Sequence, residues 1–181
     1  MTAPSLLAYT ILRGEKWWKV VEKGKANNGV CGAFLMAQFL GEYDVPVDEK
    51  GRIFVPAEFR KKLPPEANEI FIVVRGFDGC LTAYPQNVWE ETARKMMRLP
   101  QTDRRARMLI RGMLSQAAEV KLDRQGRANI PRKLLERAGI TDQMIIIGAL
   151  DKLELWNPDD WKQFMSQADT SLEEVAESYD L

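Results

Sequence analysis

The sequence predicts an α+β fold built from two tandem hairpin-and-helix units, and three observations carry that expectation. A motif recurs, Asp48-Glu49-Lys50-Gly51-Arg52 reappearing as Asp123-Arg124-Gln125-Gly126-Arg127 at the offset of 75 that separates Asp48 from Asp123. Each copy is flanked by short alternating apolar runs and followed by a proline and a brief helical pattern. Later runs recur as well: Ile70-Phe71-Ile72-Val73-Val74 against Met144-Ile145-Ile146-Ile147, and Cys80-Leu81-Thr82-Ala83-Tyr84 against Lys152-Leu153-Glu154-Leu155-Trp156, the offset from Tyr84 to Trp156 being 72. Self-similarity at a fixed spacing is the mark of a repeated supersecondary unit.

The elements follow in order. Residues 1–35 match neither copy, contain the polar stretch Lys23-Gly24-Lys25-Ala26-Asn27-Asn28-Gly29, and are expected to be an extension of weak order, with the functional chain beginning at Met36. The first unit is expected over 36–89. A strand ending near Val47 leads into a turn in which Gly51 supplies a positive φ, and a second strand ends at Pro56. Pro56 is expected as the first residue of a two-turn helix, with its φ already set and no amide hydrogen to satisfy. Pro64-Pro65 stops that helix, and two apolar runs around Gly76-Phe77-Asp78-Gly79 form a core hairpin.

A helical connector is expected over 90–115. Asn87 with Glu90 has capping-box spacing for its first helix, Pro100 breaks it, and Thr102-Asp103 opens the next. The second unit, 116–161, repeats the first with Gly126, Pro131 and a helix capped by Gly139. The drop in offset from 75 to 72 places a loss of three residues between its first helix and its third strand. An acidic tail, 162–181, completes the chain.

Lys and Arg total 26, as do Asp and Glu, so the formal net charge is zero. That balance opposes nucleic-acid binding, which draws on excess cations. By region the charges separate: residues 90–111 carry a net +4 and the stretch from Pro158 a net −6. Histidine is absent, which removes Ser-His-Asp triads, Cys-His dyads and the common zinc motifs. The chain is therefore expected not to be an enzyme and to need no metal, cofactor or small-molecule substrate. The two cysteines, Cys31 and Cys80, give no disulfide framework and fit a reducing compartment. The apolar start Ser5–Leu12 falls far short of the roughly 20 residues that span a bilayer, and no basic residue precedes it, so neither signal peptide nor membrane anchor is expected.

Phe39-Leu40-Gly41-Glu42-Tyr43, the two DxxGR turns leading into Val55-Pro56 and Ile130-Pro131, and Leu155-Trp156 together resemble the MraZ family, over about Met36 to Trp161. The resemblance implies a pair of AbrB-like swapped-hairpin domains in one chain, pseudo-two-fold and ring-forming. It also implies a transcription factor of the bacterial cytoplasm and nucleoid. Such a factor binds short direct repeats of double-stranded DNA in the promoter of the division and cell-wall gene cluster, its own gene included.

Carried onto this sequence, the family's DNA-contacting loop falls on Lys50 and Arg52 in the first copy and on Arg127, with Arg124 one position before Gln125, in the second. Asp48, Gly51, Asp123 and Gly126 are expected to build the turns. Arg52 and Arg127 suit guanine O6 and N7 as bidentate donors; the competing reading is a salt bridge to Asp48 or Asp123. Arg60-Lys61-Lys62 on the first helix favours the first copy as the main reader. The arginine run 104–111 is expected to be solvated surface, Trp89, Trp156 and Trp161 to serve packing, and Cys80 to be unreactive. Two other functions stay open: an AbrB-fold antitoxin whose tail occupies a toxin, and a ring scaffold that binds no nucleic acid.

Overall fold

Strands that must bury one face can do so only against partners, and here each copy's first two strands find theirs in the other copy. The computed structural model describes residues 38–168 and 176–179, so the expectations for residues 1–35 lie outside the described residues. In order, the elements are β1 (Phe39–Pro46), β2 (Arg52–Phe54), α1 (Ala57–Lys62), a 3-10 turn (Pro65–Ala67), β3 (Ile70–Arg75), β4 (Leu81–Pro85), α2 (Gln86–Met97), α3 (Arg104–Leu114), β5 (Ala118–Lys121), β6 (Arg127–Asn129), α4 (Arg132–Arg137), β7 (Gln143–Leu150), β8 (Lys152–Trp156) and α5 (Pro158–Ala168). A six-stranded sheet runs β1-β7-β8-β4-β3-β5, and β2 with β6 forms a separate two-stranded ribbon. All of these pairs are antiparallel.

The hairpins are therefore swapped. Gly51 closes the first turn by donating to the Asp48 carbonyl at 2.8 Å, yet β1 then pairs with β7 and β2 with β6, both from the second copy. In return β5 pairs with β3. The registers define a pseudo-two-fold axis. Ile53 stands opposite Ala128, its own counterpart at the offset of 75, and Thr82 stands opposite Glu154, its counterpart at 72. The loop bonds obey the same axis: Val55 donates to the Gly126 carbonyl at 3.1 Å and Ile130 to the Gly51 carbonyl at 2.9 Å.

Register also corrects the expected deletion. Phe71 opposite Val120 matches Met144 opposite Val45, an offset of 73. Copy two thus loses two residues between its helix and third strand (75 − 73) and one in the following turn (73 − 72), where Gly148 to Leu153 replaces Arg75 to Leu81. Sequence alignment of two apolar runs cannot tell a slip of one residue, whereas the pleat fixes it.

One core serves both copies. Phe39, Phe59, Leu134, Met144 and Ile146 are at most 1% exposed and belong to a single cluster that also holds Ile53, Ala128, Leu81 and Leu153. Phe59 is the aromatic hub of α1, met edge-on by Phe39 at 5.8 Å and by Tyr43 at 5.0 Å between centroids. A smaller cluster joins Cys80, Ile145 and Trp156, with the Trp161 and Phe164 rings tilted against Trp156 at 5.4 and 5.1 Å between centroids. The tryptophans pack, as expected, and burial pushes the Cys80 thiol up to about 12, with the Glu154 carboxylate adding to it.

Several helix ends differ from expectation. Pro56 and Pro131 are extended N-cap residues rather than first helical residues: each lies two positions past the end of its strand and keeps an extended ψ, 136° and 133°. The capping box at Asn87 and Glu90 does not form: β4 runs directly into α2 at Pro85, and the Asn87 side-chain carbonyl is buried with no hydrogen-bond partner among the described residues. Asp103 does cap α3, accepting from the Arg105 amide at 2.9 Å, and Gly139 takes φ +62° behind α4. The expected boundaries at 89 and 161 both fall inside helices, α2 and α5, because a recurring tryptophan marks an equivalent position and not an end. Among the described residues, no helix is long and apolar enough to cross a membrane.

Candidate nucleic-acid interface

The β2–β6 ribbon buries Ile53 and Ala128 and turns its other residues outward, since successive strand side chains alternate between faces. Arg52 and Phe54 from β2 therefore share one outer face with Arg127 and Asn129 from β6. Arg52 lies opposite Asn129 and Phe54 opposite Arg127, which makes the two arginines diagonal neighbours about 7–8 Å apart across the strands. Lys50 and Arg124 occupy the exposed turns on either side.

Each turn is braced by its aspartate. Asp48 Oδ1 accepts from the amides of Lys50 at 2.8 Å and Arg52 at 2.9 Å, and Oδ2 accepts from Arg52 Nε at 2.6 Å. Asp123 repeats this with Gln125 at 2.8 Å, Arg127 at 2.9 Å and Arg127 Nε at 2.7 Å. The arginine amide, foremost among these donors, holds each carboxyl below its ordinary range.

The sequence opposed salt bridge to base contact as alternatives, but this geometry allows both. An arginine offers five N–H donors in a planar fork. Asp takes the Nε proton alone, so among the described residues both Nη groups of Arg52 lack a protein partner while the fork's direction is fixed. Arg127 is held further, its guanidinium 5.9 Å from the Phe54 ring centroid, and its side chain is 34% exposed against 43% for Arg52.

Both turn glycines are required by their φ, and Gly51 by a close backbone approach as well. Gly51 has φ +79° and Gly126 φ +80°, a region costly for residues with a Cβ. A Cβ on Gly51 would also lie 2.5 Å from the Ile130 carbonyl oxygen, and one on Gly126 would lie 2.6 Å from the Arg60 guanidinium. These contacts reveal that each turn is backed by the other copy's helix. The basic segment Arg60-Lys61-Lys62 thus does not stand behind the first turn, as its place in the sequence suggests. Arg60 donates to the Val55 carbonyl at 3.0 Å and covers Gly126; Lys61 pairs with Glu58 at 2.9 Å; Lys62 donates to the Gln38 carbonyl at 2.8 Å. Behind the first turn stands α4, whose Arg132 donates to the Glu49 carbonyl at 2.8 Å.

Sequence reasoning missed Phe54 and Asn129 as outward members of the ribbon. The alternation of β2 and β6 contained that signal, but three-residue strands are too short to display it.

Fold and site define a class: a single-chain pseudo-dimer of tandem AbrB-like units, its swapped hairpins presenting an arginine ribbon. The chain belongs to the MraZ family. The family model, described as "MraZ protein, putative antitoxin-like", matches residues 38–112 and again 113–181, once for each interleaved copy.

Proposed function

We propose that this chain is a sequence-specific DNA-binding transcriptional regulator. Its targets are direct repeats in the promoter of the division and cell-wall gene cluster, its own gene included, and it works at the nucleoid in the cytoplasm. The observation that carries the reading is the ribbon: Arg52 and Arg127 share one outward face, each with its fork oriented and its Nη groups unused among the described residues. A two-stranded β-ribbon fits the major groove, where bidentate arginine recognises guanine.

Magnitudes favour engagement. The Arg52–Asp48 ion pair is solvent-exposed, and such pairs contribute little because water screens them. A good arginine–guanine pair discriminates by about 1–3 kcal/mol, so the arginine loses little even where the aspartate must yield. Lys50 and Arg124 flank the ribbon as phosphate contacts. The zero net charge is offset by assembly into a homo-oligomeric ring that presents several ribbons to several repeats, so that modest contacts multiply. Exposed Met97, Met108, Leu109 and Leu114 on α2 and α3 give such an assembly an apolar surface.

The test is a titration of the protein against its own upstream DNA and an unrelated duplex across a salt series, alongside Arg52→Ala and Arg127→Ala. Specific, salt-sensitive binding that each variant weakens at least tenfold is expected. Wild-type affinity in both variants would sink the ribbon assignment. Co-purification with a small toxin, with no DNA bound, would favour the antitoxin reading that the family description keeps open.

A further inference from the structure

The pseudo-symmetry that relates the two turns is broken in charge where each turn meets the other copy's helix. Between turn 123–126 and α1 lies a groove bearing Arg60, Lys61 and Arg124 against Asp123 and Glu69, a net +1. Its counterpart, between turn 48–51 and α4, bears Arg132 against Asp48, Glu49, Glu136 and Asp142, a net −3. The contrast is residue for residue at the offset of 75. Arg124 replaces Glu49, Lys61 stands where Glu136 stands, and Arg60 where Leu135 stands. The last pair is direct: the Arg60 side chain closes on Gly126 as Leu135 closes on Gly51. Leucine serves at the equivalent place in the second copy, and the structural bond that Arg60 makes here, to the Val55 carbonyl, uses Nε alone.

Arg60, Lys61 and Arg124 are all exposed. Arg60 spends its Nε on the Val55 carbonyl, leaving both Nη groups without a partner among the described residues, and Arg124 makes no ion pair there. Lys61 holds only the exposed pair with Glu58, a bond weak enough to exchange for phosphate. Asp123 in the groove is already engaged by Arg127.

We infer that the groove formed by Arg60, Lys61 and Arg124 binds the phosphate backbone of the duplex whose bases the ribbon reads, while its acidic counterpart does not. This rests on the DNA-binding reading. Non-specific affinity comes from phosphate neutralisation, and each phosphate released from its counterions contributes about 0.9 to the slope of log K against log salt.

The experiment is fluorescence anisotropy with the protein's own upstream duplex and an unrelated duplex across a salt series. It compares wild type with Lys61→Gln/Arg124→Gln and with the mirror variant Glu49→Gln/Glu136→Gln. All four positions are exposed, so melting temperatures close to wild type are expected. The basic-groove variant should weaken both duplexes alike, keep their affinity ratio, and flatten the slope by about 1–2. The mirror variant should not flatten it. A basic-groove variant with the wild-type slope, or an equal flattening in both variants, overturns the phosphate site. The DNA-binding reading survives that result if Arg52→Ala still loses the specific duplex. A wild-type protein that binds neither duplex overturns both.

Discussion

At the scale of the residue, the determining unit is an aspartate with one oxygen on backbone amides and the other on a guanidinium. It converts a flexible side chain into a directed fork without spending the fork's outer donors. The glycine three positions on makes that turn possible, and the surroundings rank what replacing each glycine would cost. Gly51→Ala combines positive φ with a collision against the fixed Ile130 carbonyl, and a loss of more than about 2 kcal/mol is expected. Gly126→Ala carries the same strain, but the Arg60 side chain can move aside. Gly79, at φ +95° with nothing within 4 Å, sets the floor, where alanine should cost about 1 kcal/mol. Chemical denaturation of the three variants checks that order; equal losses would mean that close approach contributes nothing. The Asp, Gly and Arg of each turn were readable from the sequence because local chemistry dictates them. That Arg60 would serve the second turn was not, because the contact links residues 66 positions apart through strand exchange.

At the scale of the element, the turns between paired strands hold the clearest departure from good local design. Leu150 sits at φ +62° in the short β7–β8 turn, 63% exposed, in a conformation that glycine or asparagine adopts more readily. Leu150→Gly relieves strain of about 1–2 kcal/mol and gives back part of it as chain entropy in the unfolded state. A net gain of a few tenths to about 1 kcal/mol is expected, a rise in Tm of roughly 1–4 °C by calorimetry. A fall in Tm would show that the leucine is held by packing. The strands and α1 to α4 were legible from alternation and proline placement, whereas α5, Pro158–Ala168, lies where a second unit ending at 161 and an acidic tail were expected. Element ends were not legible: Pro56 and Pro131 stay extended just before their helices, and β4 runs through Pro85 straight into α2, ahead of the expected Asn87 start. The order of strands lay wholly beyond periodicity, which says which face is apolar and nothing about whose face it meets.

At the scale of the whole molecule, the two copies have one core and each lends its first strand to the other. Residues 36–115 alone would leave β3 without β5, β4 without β8 and β1 without β7. That fragment should exist either unfolded or as a dimer that restores the missing pairs, never as a folded monomer; sedimentation velocity with circular dichroism distinguishes these outcomes. The duplication was visible as a repeat, and the family model finds it as two matches. The family resemblance already implied a pseudo-two-fold; the place of the axis emerged from Ile53 facing Ala128 and Thr82 facing Glu154.

That axis passes through a single polypeptide, and inheritance treats it accordingly. In a dimer of identical chains one codon sets both halves, so a glutamate on one flank imposes a glutamate on the other. Here Glu49 and Arg124 answer to separate codons. The halves are free to drift apart while the scaffold stays balanced, and a shape suited to palindromes acquires a head and a tail. On the direct repeats proposed as its target, a reader with a front and a back can keep step where a symmetric one would have to face both directions at once.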